Sequence, residues 1–330
     1  MTELIAEIGL AHEGSLGIAH SYIDLAASLK IDTVKFQMHI PERESSNLEK
    51  FRINFSYEDQ NRFNYWDRTS FNLEEWAQLL KHAEDKKLNF LISPFSVKAI
   101  EEINKLGLKR LKLGSAEVVD DLIIDKASDH DLEFIISNGF AGDLIYEVIK
   151  LFQRKERKLT VLECTSKYPS TNLDFNNERY KSLQLIKNIG FGVSDHSGET
   201  SIIKYALATE ANIIEAHIVF DKRMFGPDSS SSLEPSQWVE IVKFRNDIKK
   251  IKSSNKYQID KNIKKTFSRS LSFGRDLKKN EKLFISDLES IKADGYGVAS
   301  KDYRKFLAKK LIKDVRKGDF LKESDFENND

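Results

Sequence analysis

Short apolar or β-branched runs alternate along most of this sequence with longer stretches that have helical spacing. The runs are predicted to be strands and cover residues 4–8, 33–37, 89–93, 111–114, 134–137, 159–163, 190–194 and 213–218. Amphipathic stretches at residues 16–29, 73–86 and 201–211 are predicted to be helices. Such alternation is typical of parallel βα units. About eight units in roughly 250 residues have the size of a (β/α)8 barrel.

A doubly wound open sheet would produce a similar periodicity, so it is the structural alternative. No G-x-G-x-x-G motif follows the first predicted strand, which favours the barrel. We therefore predict an α/β fold in which residues 1–250 form a TIM barrel. A polar, basic stretch at residues 249–256 indicates a linker, which we assign to residues 251–265.

The last part of the chain contains an internal repeat. Residues 276–288, DLKKNEKLFISDL, are echoed by residues 314–326, DVRKGDFLKESDF. Each copy predicts a strand, a Lys-rich turn, a second short strand and a Ser-Asp pair that caps a helix. Two such copies predict a small mixed β domain at residues 266–330, which is suited to act as a lid.

Two histidines follow neighbouring strands near the end of the predicted barrel. His196 comes after the seventh strand and His217 ends the eighth. Active sites of (β/α)8 barrels are built at the carboxyl ends of the strands. Adjacent parallel strands lie about 4.8 Å apart, so both imidazoles could reach one divalent ion. Two protein ligands would leave positions for water and a substrate oxygen, as Lewis-acid catalysis requires.

Lysines and serines at other strand ends form a predicted anion site. Lys35 and Lys112 supply the charges, and hydroxyls come from Ser93, Ser115, Ser137 and Ser194. This set of cations and donors suits a phosphate or a carboxylate. Two alternatives remain open. Each lysine could pair with an inward acid such as Glu7 or Glu117, or Lys112 could form a Schiff base in a metal-independent aldolase.

The composition of the chain bears on its binding partners and on the cellular compartment in which it works. The chain has 52 Lys and Arg balanced by 52 Asp and Glu, so there is no general electrostatic case for nucleic acid or an anionic membrane. One cysteine excludes an intramolecular disulfide and a multi-cysteine metal site, which fits a reducing compartment. The start has no basic and apolar leader, and no apolar run approaches roughly 20 residues. We expect a cytoplasmic protein.

Taken together, the motifs at the strand ends resemble those of the sialic acid synthase family, which includes N-acetylneuraminate, legionaminate and pseudaminate synthases. The motifs in order are AEIG at residues 6–9, HEG at 12–14, VKFQ at 34–37, SPF at 93–95, KLGS at 112–115, CTSKYP at 164–169, SDH at 194–196, EAH at 215–217 and GPD at 226–228. The end of the chain resembles the antifreeze-like SAF domain of this family, a β-clip fold.

This resemblance implies that phosphoenolpyruvate condenses with an aldose to give a nine-carbon 3-deoxy-2-ulosonic acid and phosphate, for surface polysaccharide. His196 and His217 would hold Mn2+ or another divalent ion such as Mg2+ or Co2+, and Glu7 would handle protons. The positions that match the phosphoenolpyruvate site are Lys35, Lys112, Ser115, Ser137 and Ser194. Those that match the sugar site are Gln37, Glu117, Ser166, Tyr168 and Asp228, with Phe95 as an apolar wall.

Two departures from the family pattern concern the sugar. Ala293 stands where members that use N-acetylmannosamine carry an arginine, and Ser166 stands where some carry an asparagine. We therefore expect an acceptor other than N-acetylmannosamine. The family also implies a domain-swapped homodimer, in which the segment after about residue 256 crosses to a partner barrel. A nonenzymatic sugar-phosphate binding protein is the main alternative, although the intact histidines and lysines argue against it.

Overall fold

The structure, a computed structural model, describes residues 2–53, 55–254 and 259–327. The chain divides into two compact units, Met1–Ser253 and Ser254–Asp330. The first unit ends at Ser253 rather than at residue 250, because its last helix continues through the basic stretch. In the predicted linker, residues 255–258 lie outside the described residues, and residues 261–265 belong to a helix of the second unit.

Eight parallel strands form the sheet of the first unit in its described part. They are β1 (Glu3–Gly9), β2 (Thr33–Met38), β3 (Asn89–Pro94), β4 (Arg110–Leu113), β5 (Glu133–Ser137), β6 (Leu159–Cys164), β7 (Gly190–Asp195) and β8 (Ile213–His217). Their order is β3-β2-β1-β8-β7-β6-β5-β4, and the end strands β3 and β4 lie side by side. The sheet therefore closes like a barrel, which confirms the predicted TIM-barrel-like α/β fold, and each strand bound lies within one residue of its prediction.

Helices alternate with the strands in the sequence, and most of them pack on the outside of the sheet. They are α1 (Leu16–Ser28), α2 (Pro41–Glu44), α3 (Arg62–Thr69), α4 (Leu73–Asp85), α5 (Val97–Lys105), α6 (Asp121–Ser128), α7 (Leu144–Arg154), α8 (Asn177–Gln184), α9 (Ser201–Ala208) and α10 (Pro235–Ser253). Helix α9 ends three residues before the predicted bound at 211, because Glu210 adopts the left-handed region with φ of 67°. No helix in the described ranges has the length and apolarity needed to cross a bilayer.

The strand period of two residues divides the first unit into an outer and an inner core. Leu4 and Ile8 of β1 pack with the helices in the larger apolar cluster. Ile5 points the other way and packs inside the barrel with Leu91, Ile135, Leu162 and Ile213. Each fully buried side chain of this size contributes roughly 1.5–3 kcal/mol. This apolar layer seals one end of the barrel and leaves the carboxyl ends of the strands for polar residues.

The second unit has a core of its own. After α11 (Lys261–Phe267), the antiparallel strands β9 (Arg269–Phe273) and β10 (Leu288–Lys292) form a two-stranded sheet. The buried apolar residues are Leu271, Phe273, Leu277, Leu283, Phe306, Leu311, Val315, Leu321 and Phe326. The core therefore draws on both copies of the repeat.

The two repeat copies brace each other through their first aspartates. The Asp276 carboxylate accepts from the backbone N–H of Lys317 at 2.8 Å, and the Asp314 carboxylate accepts from that of Lys279 at 2.9 Å. The predicted helix cap is wrong. Each Ser-Asp pair closes a short 3-10 turn, at Ile285–Asp287 and Glu323–Asp325, and strand β10 follows the first of these turns.

Candidate active site

A cavity of about 450 Å³ lies at the carboxyl ends of the barrel strands. All fifteen residues predicted for the site line it: Glu7, Lys35, Gln37, Ser93, Phe95, Lys112, Ser115, Glu117, Ser137, Ser166, Tyr168, Ser194, His196, His217 and Asp228. The structure therefore brings the predicted residues together, while the role of each stays a prediction. The volume falls in the range of small-molecule sites.

Strand register explains why these residues converge. Glu7 of β1 is in register with Lys35 of β2 on one side and with His217 of β8 on the other. On the next strands, Ser194 is in register with Glu215. Residues at one level of a barrel face one interior, so an acid, a cation and an imidazole from three strands share the cavity.

Lys35 is held in a buried network of acids. Its Nζ lies 2.5 Å from Glu7 Oε2 and 3.8 Å from Glu215 Oε2, and it donates to Ser93 Oγ at 3.2 Å. Burial disfavours the charge, but Glu215 and Glu7 outweigh burial and raise the pKa of Lys35. The ammonium is therefore a fixed, permanent charge.

Lys112 has a different partner from the one expected. Its Nζ lies 3.3 Å from Glu215 Oε1, which also accepts from Ser194 Oγ at 2.9 Å. Glu117 was named with Glu7 as a possible partner, but it forms no ion pair among the described residues; burial raises its pKa. Burial likewise opposes the charge of Glu215, yet the two lysines lower its pKa. The lysines are therefore positioned before any ligand binds.

Two hydroxyls in the cavity point to a ligand. Ser137 Oγ and Ser166 Oγ are buried and have no hydrogen-bond partner among the described residues. A buried hydroxyl without a hydrogen-bond partner lowers the stability of the fold by about 1–3 kcal/mol. Such groups in a cavity are typical of a site in which a bound ligand supplies the missing hydrogen bond. Ser115, by contrast, already accepts from the backbone N–H of Gly139 at 3.0 Å.

The two histidines have the surroundings of metal ligands. Their ring centroids are 5.5 Å apart. His196 Nδ1 lies 3.3 Å from the carbonyl oxygen of Thr165, so we assign the proton to Nδ1 and the lone pair to Nε2. Burial and the neighbouring His217 lower the pKa of His196 to about 3, so the ring is neutral, as a metal ligand must be. The donors fit a divalent ion.

The predicted metal site rests on two histidines. Within the described ranges, no three His, Cys, Asp or Glu side chains are grouped so that they could hold a metal ion. Water and a substrate would complete the predicted site, as in other open catalytic sites.

Aromatic and charged groups surround the other side of the cavity. The Tyr168 ring centroid lies 4.2 Å from that of His196. Burial raises the pKa of the Tyr168 hydroxyl well above its usual value. The guanidinium of Arg52 lies 4.0 Å from the Tyr168 ring centroid and 2.8 Å from Asp228 Oδ1. Burial opposes the charge of Asp228, but His217 and Arg52 lower its pKa. These groups form a polar wall beside the histidines.

A chain of contacts fixes Gln37. Gln37 Nε2 donates to Glu7 Oε1 at 2.8 Å, and its Oε1 lies 3.2 Å from His39 Nε2. The His39 ring is stacked between Trp66 and Phe95, at centroid distances of 4.1 and 4.3 Å. Phe95 therefore contacts the cavity and also holds the residue that orients Gln37.

Three residues with clear contacts in the site escaped the sequence analysis: Glu215, Arg52 and His39. Glu215 stands two residues before His217, and the strand period would have placed both side chains on one face. His39 follows Gln37 at the same spacing. Arg52 lies in the long segment between α2 and α3, where no periodic signal exists. Ala293, where the family arginine was expected, lies in a turn of the second unit closed by a hydrogen bond from Tyr296 N.

Comparisons with known proteins identify the family of this chain. The model of the NeuB family matches residues 22–257. The chain is 28% identical to the N,N'-diacetyllegionaminic acid synthase of Campylobacter jejuni, over 98% of this chain and 99% of that protein. It is also 28% identical to the pseudaminic acid synthase of Campylobacter jejuni, over 98% and 96%. The crystal structure of the N-acetylneuraminic acid (sialic acid) synthetase from Leptospira borgpetersenii superposes with a TM-score of 0.69 at 28% identity, over 79% of this chain and 88% of that one.

Proposed function

Because this chain belongs to the NeuB family, we propose that it is a synthase that condenses phosphoenolpyruvate with an aldose. The aldose would be an N-acetylmannosamine-like or deoxy diamino hexose, and the products a nine-carbon 3-deoxy-2-ulosonic acid and inorganic phosphate. The observation that carries the proposal is that one cavity brings Lys35 and Lys112 together with His196 and His217. The reaction needs both pairs.

The anion site would bind phosphoenolpyruvate. Lys35 and Lys112 are held in place by Glu7 and Glu215, so little reorganisation accompanies binding. The unpartnered hydroxyl of Ser137 would donate to an oxygen of the ligand. Charge-assisted hydrogen bonds from both lysines suit the phosphate and the carboxylate of this substrate.

The condensation requires a new carbon–carbon bond and one water molecule. C3 of phosphoenolpyruvate would form a bond to the aldehyde carbon, water would add at C2, and the C2–O bond to phosphate would break. Glu7, whose carboxylate is held by Gln37 and Lys35, would accept one proton of this water and pass it to the departing phosphate. The aldehyde oxygen would take up the other proton of the water.

His196 and His217 would hold a divalent ion, Mn2+ or another such as Mg2+ or Co2+. When bound, the ion would supply Lewis-acid polarisation of the aldehyde oxygen. The chain's own contribution is to keep the His196 ring neutral and oriented. The carbonyl of Thr165 fixes the orientation of His196 through Nδ1.

The remaining parts of the proposal concern the whole protein. The second unit would be an SAF-type domain, the chain a domain-swapped homodimer, and the product a precursor of surface polysaccharide made in the cytoplasm. The support is the sequence resemblance over the second unit and the similarity to the two Campylobacter jejuni synthases along 98% of this chain.

A phosphate-release assay tests the proposal. The purified chain would be mixed with phosphoenolpyruvate, Mn2+ and a panel of N-acetylated, deoxy diamino and plain hexoses, and the product mass would be measured. We expect release with at least one aldose, loss on chelation and restoration by Mn2+. His217→Ala should abolish release and reduce bound Mn2+ after dialysis, with the circular dichroism spectrum unchanged. His130→Ala, on a residue outside the cavity, is the matched control.

The same assay separates the alternatives. A nonenzymatic binding protein would release no phosphate with any aldose. A Schiff-base aldolase would retain turnover in excess chelator and would be trapped by borohydride on Lys112. The contact with Glu215 argues against the aldolase, because Lys112 Nζ lies 3.3 Å from its carboxylate and would have to leave it to attack a carbonyl carbon.

A further inference from the structure

Arg52 is a cation in the candidate active site that the anion site does not use. We infer that Arg52 is a specificity-determining residue, which together with Asp228 recognises a secondary amide, an acylamino group, on the aldose. The role assumes the proposed condensation, since an aldose must occupy the cavity. The inference adds which group of the aldose is recognised and which residues bind it.

The position of Arg52 is fixed by three contacts. Its Nη2 donates to Asp228 Oδ1 at 2.8 Å and to the carbonyl oxygen of Pro227 at 3.1 Å, and its guanidinium lies over the Tyr168 ring at 4.0 Å. A stacked, ion-paired guanidinium loses less entropy when it binds a ligand than a free side chain does. Arg52 is thus prepared for binding although 38% of its side chain is exposed.

The remaining polar atoms of this pair are available. Nη2 makes both hydrogen bonds, so the N–H groups of Arg52 Nε and Nη1 have no partner among the described residues. Asp228 Oδ2 likewise accepts no hydrogen bond from a described residue. As far as the described residues go, the pair therefore has guanidinium N–H donors without a partner beside a carboxylate oxygen that accepts no hydrogen bond.

This donor and acceptor pair selects the chemistry of the ligand. A secondary amide presents a carbonyl oxygen that can accept from the guanidinium and an N–H that can donate to the carboxylate. A hydroxyl in its place would have to accept from the guanidinium and donate to the carboxylate through a single oxygen atom, whereas an amide presents its acceptor and its donor on two separate atoms.

The location favours the aldose rather than phosphoenolpyruvate. Tyr168, on which Arg52 stacks, lies 4.2 Å from the ring of His196, one of the two proposed metal ligands. The lysines of the anion site are paired instead with Glu7 and Glu215. Arg52 therefore lies on the side of the cavity where the aldehyde would be held, and its loss should leave the binding of phosphoenolpyruvate largely intact.

Steady-state kinetics of Arg52→Ala and Arg52→Lys test the role. The substrates are an N-acetylated hexosamine that the wild type uses and the hexose with a hydroxyl in place of the acylamino group. We expect Arg52→Ala to raise the KM for the N-acetylated sugar roughly 10- to 100-fold, as loss of a charge-assisted hydrogen bond implies. Its KM for phosphoenolpyruvate should stay within about twofold. The preference for the N-acetylated sugar over the hexose should largely disappear.

Arg52→Lys keeps a cation over Tyr168 but loses the guanidinium fork, so we expect a smaller rise in the same KM. Arg223→Ala is the matched control, because Arg223 pairs with Asp221 outside the cavity. Thermal unfolding of each variant shows whether it is folded. A folded Arg52→Ala or Arg52→Lys enzyme with the wild-type KM and sugar preference overturns the role.

Failure of the proposed function would be visible separately. If the wild type releases no phosphate with any aldose, the condensation is excluded, and calorimetric binding of the N-acetylated hexosamine to wild type and Arg52→Ala decides the role of Arg52. Binding that weakens at least tenfold in the variant supports the role. Equal binding, or no binding to either protein, removes it.

Discussion

At the scale of single residues, Gly139 shows how closely the hydroxyls of the candidate site are packed. A Cβ built on Gly139 would lie 2.1 Å from Ser166 Oγ and 2.6 Å from Ser115 Oγ. Real Cβ atoms do not come that close to other atoms, so the serines would have to move. The serine hydroxyls that we assign to substrate binding therefore depend on the absence of a side chain here.

Gly139→Ala should impair both folding and binding. We expect a loss of about 1–3 kcal/mol in the free energy of unfolding, because overpacking displaces the neighbouring serines. Gly17→Ala is the matched control: Gly17 lies in helix α1, where a Cβ would meet only Ser15 Oγ at 3.9 Å. Alanine favours the helix, so that variant should gain up to about 1 kcal/mol. Urea unfolding of both, with the KM for phosphoenolpyruvate, checks this. Equal stability of the two variants would contradict it.

The sequence could predict those site residues whose position follows from the strand pattern, and it missed those that other contacts bring into the cavity. Glu7, Lys35 and His217 lie on predicted strands, so the barrel pattern was enough to bring them together. The ion pair between Lys112 and Glu215 depends on the register of strands far apart in the sequence. Arg52 reaches the cavity from a long connecting segment, which carries no period, and its position is set by tertiary contacts alone.

At the scale of elements, the strands were predictable because they share one pattern, in which apolar residues are followed by polar residues at the carboxyl end. Ile5 and Glu7 of β1 point inward with a period of two, the first into the apolar layer and the second into the cavity. The repeat in the second unit was also visible in the sequence, and its first aspartates, Asp276 and Asp314, make equivalent contacts in the structure. Its helix caps were not predictable, because a Ser-Asp pair suits a helix start and a 3-10 turn equally well.

Helix α4 begins with a capping box. Asn72 Oδ1 accepts from the backbone N–H groups of Glu74 and Glu75 at 2.9 and 3.0 Å, and the Glu75 carboxylate accepts from Asn72 N at 2.9 Å. We expect Asn72→Ala to destabilise the first unit by about 1 kcal/mol. Gln78→Ala, on the exposed face of the same helix, should change stability by less than about 0.5 kcal/mol. Urea unfolding measures both, and the KM values should not change. Indistinguishable midpoints would show that the cap contributes nothing.

At the scale of the whole molecule, both units expose apolar side chains. In the first unit, Phe140 lines the cavity and is 60% exposed. In the second, Phe267 and Ile285 are 65% and 63% exposed. Surface residues of this size bury well at an interface between copies. Their exposure is consistent with the proposed homodimer, in which a partner would cover the mouth of the cavity.

We therefore expect light scattering at micromolar concentration to give twice the mass of one chain. Phe140→Ser should raise the dimer dissociation constant at least tenfold, because an aromatic side chain that is buried by the partner contributes more than about 1.4 kcal/mol. Leu185→Ser is the matched control, since Leu185 is 83% exposed on the same unit but does not line the cavity. Activity should fall with dilution as the dimer dissociates, and more steeply for Phe140→Ser. A monomer with full phosphate release would exclude the swapped arrangement, because one chain would then complete the site by itself.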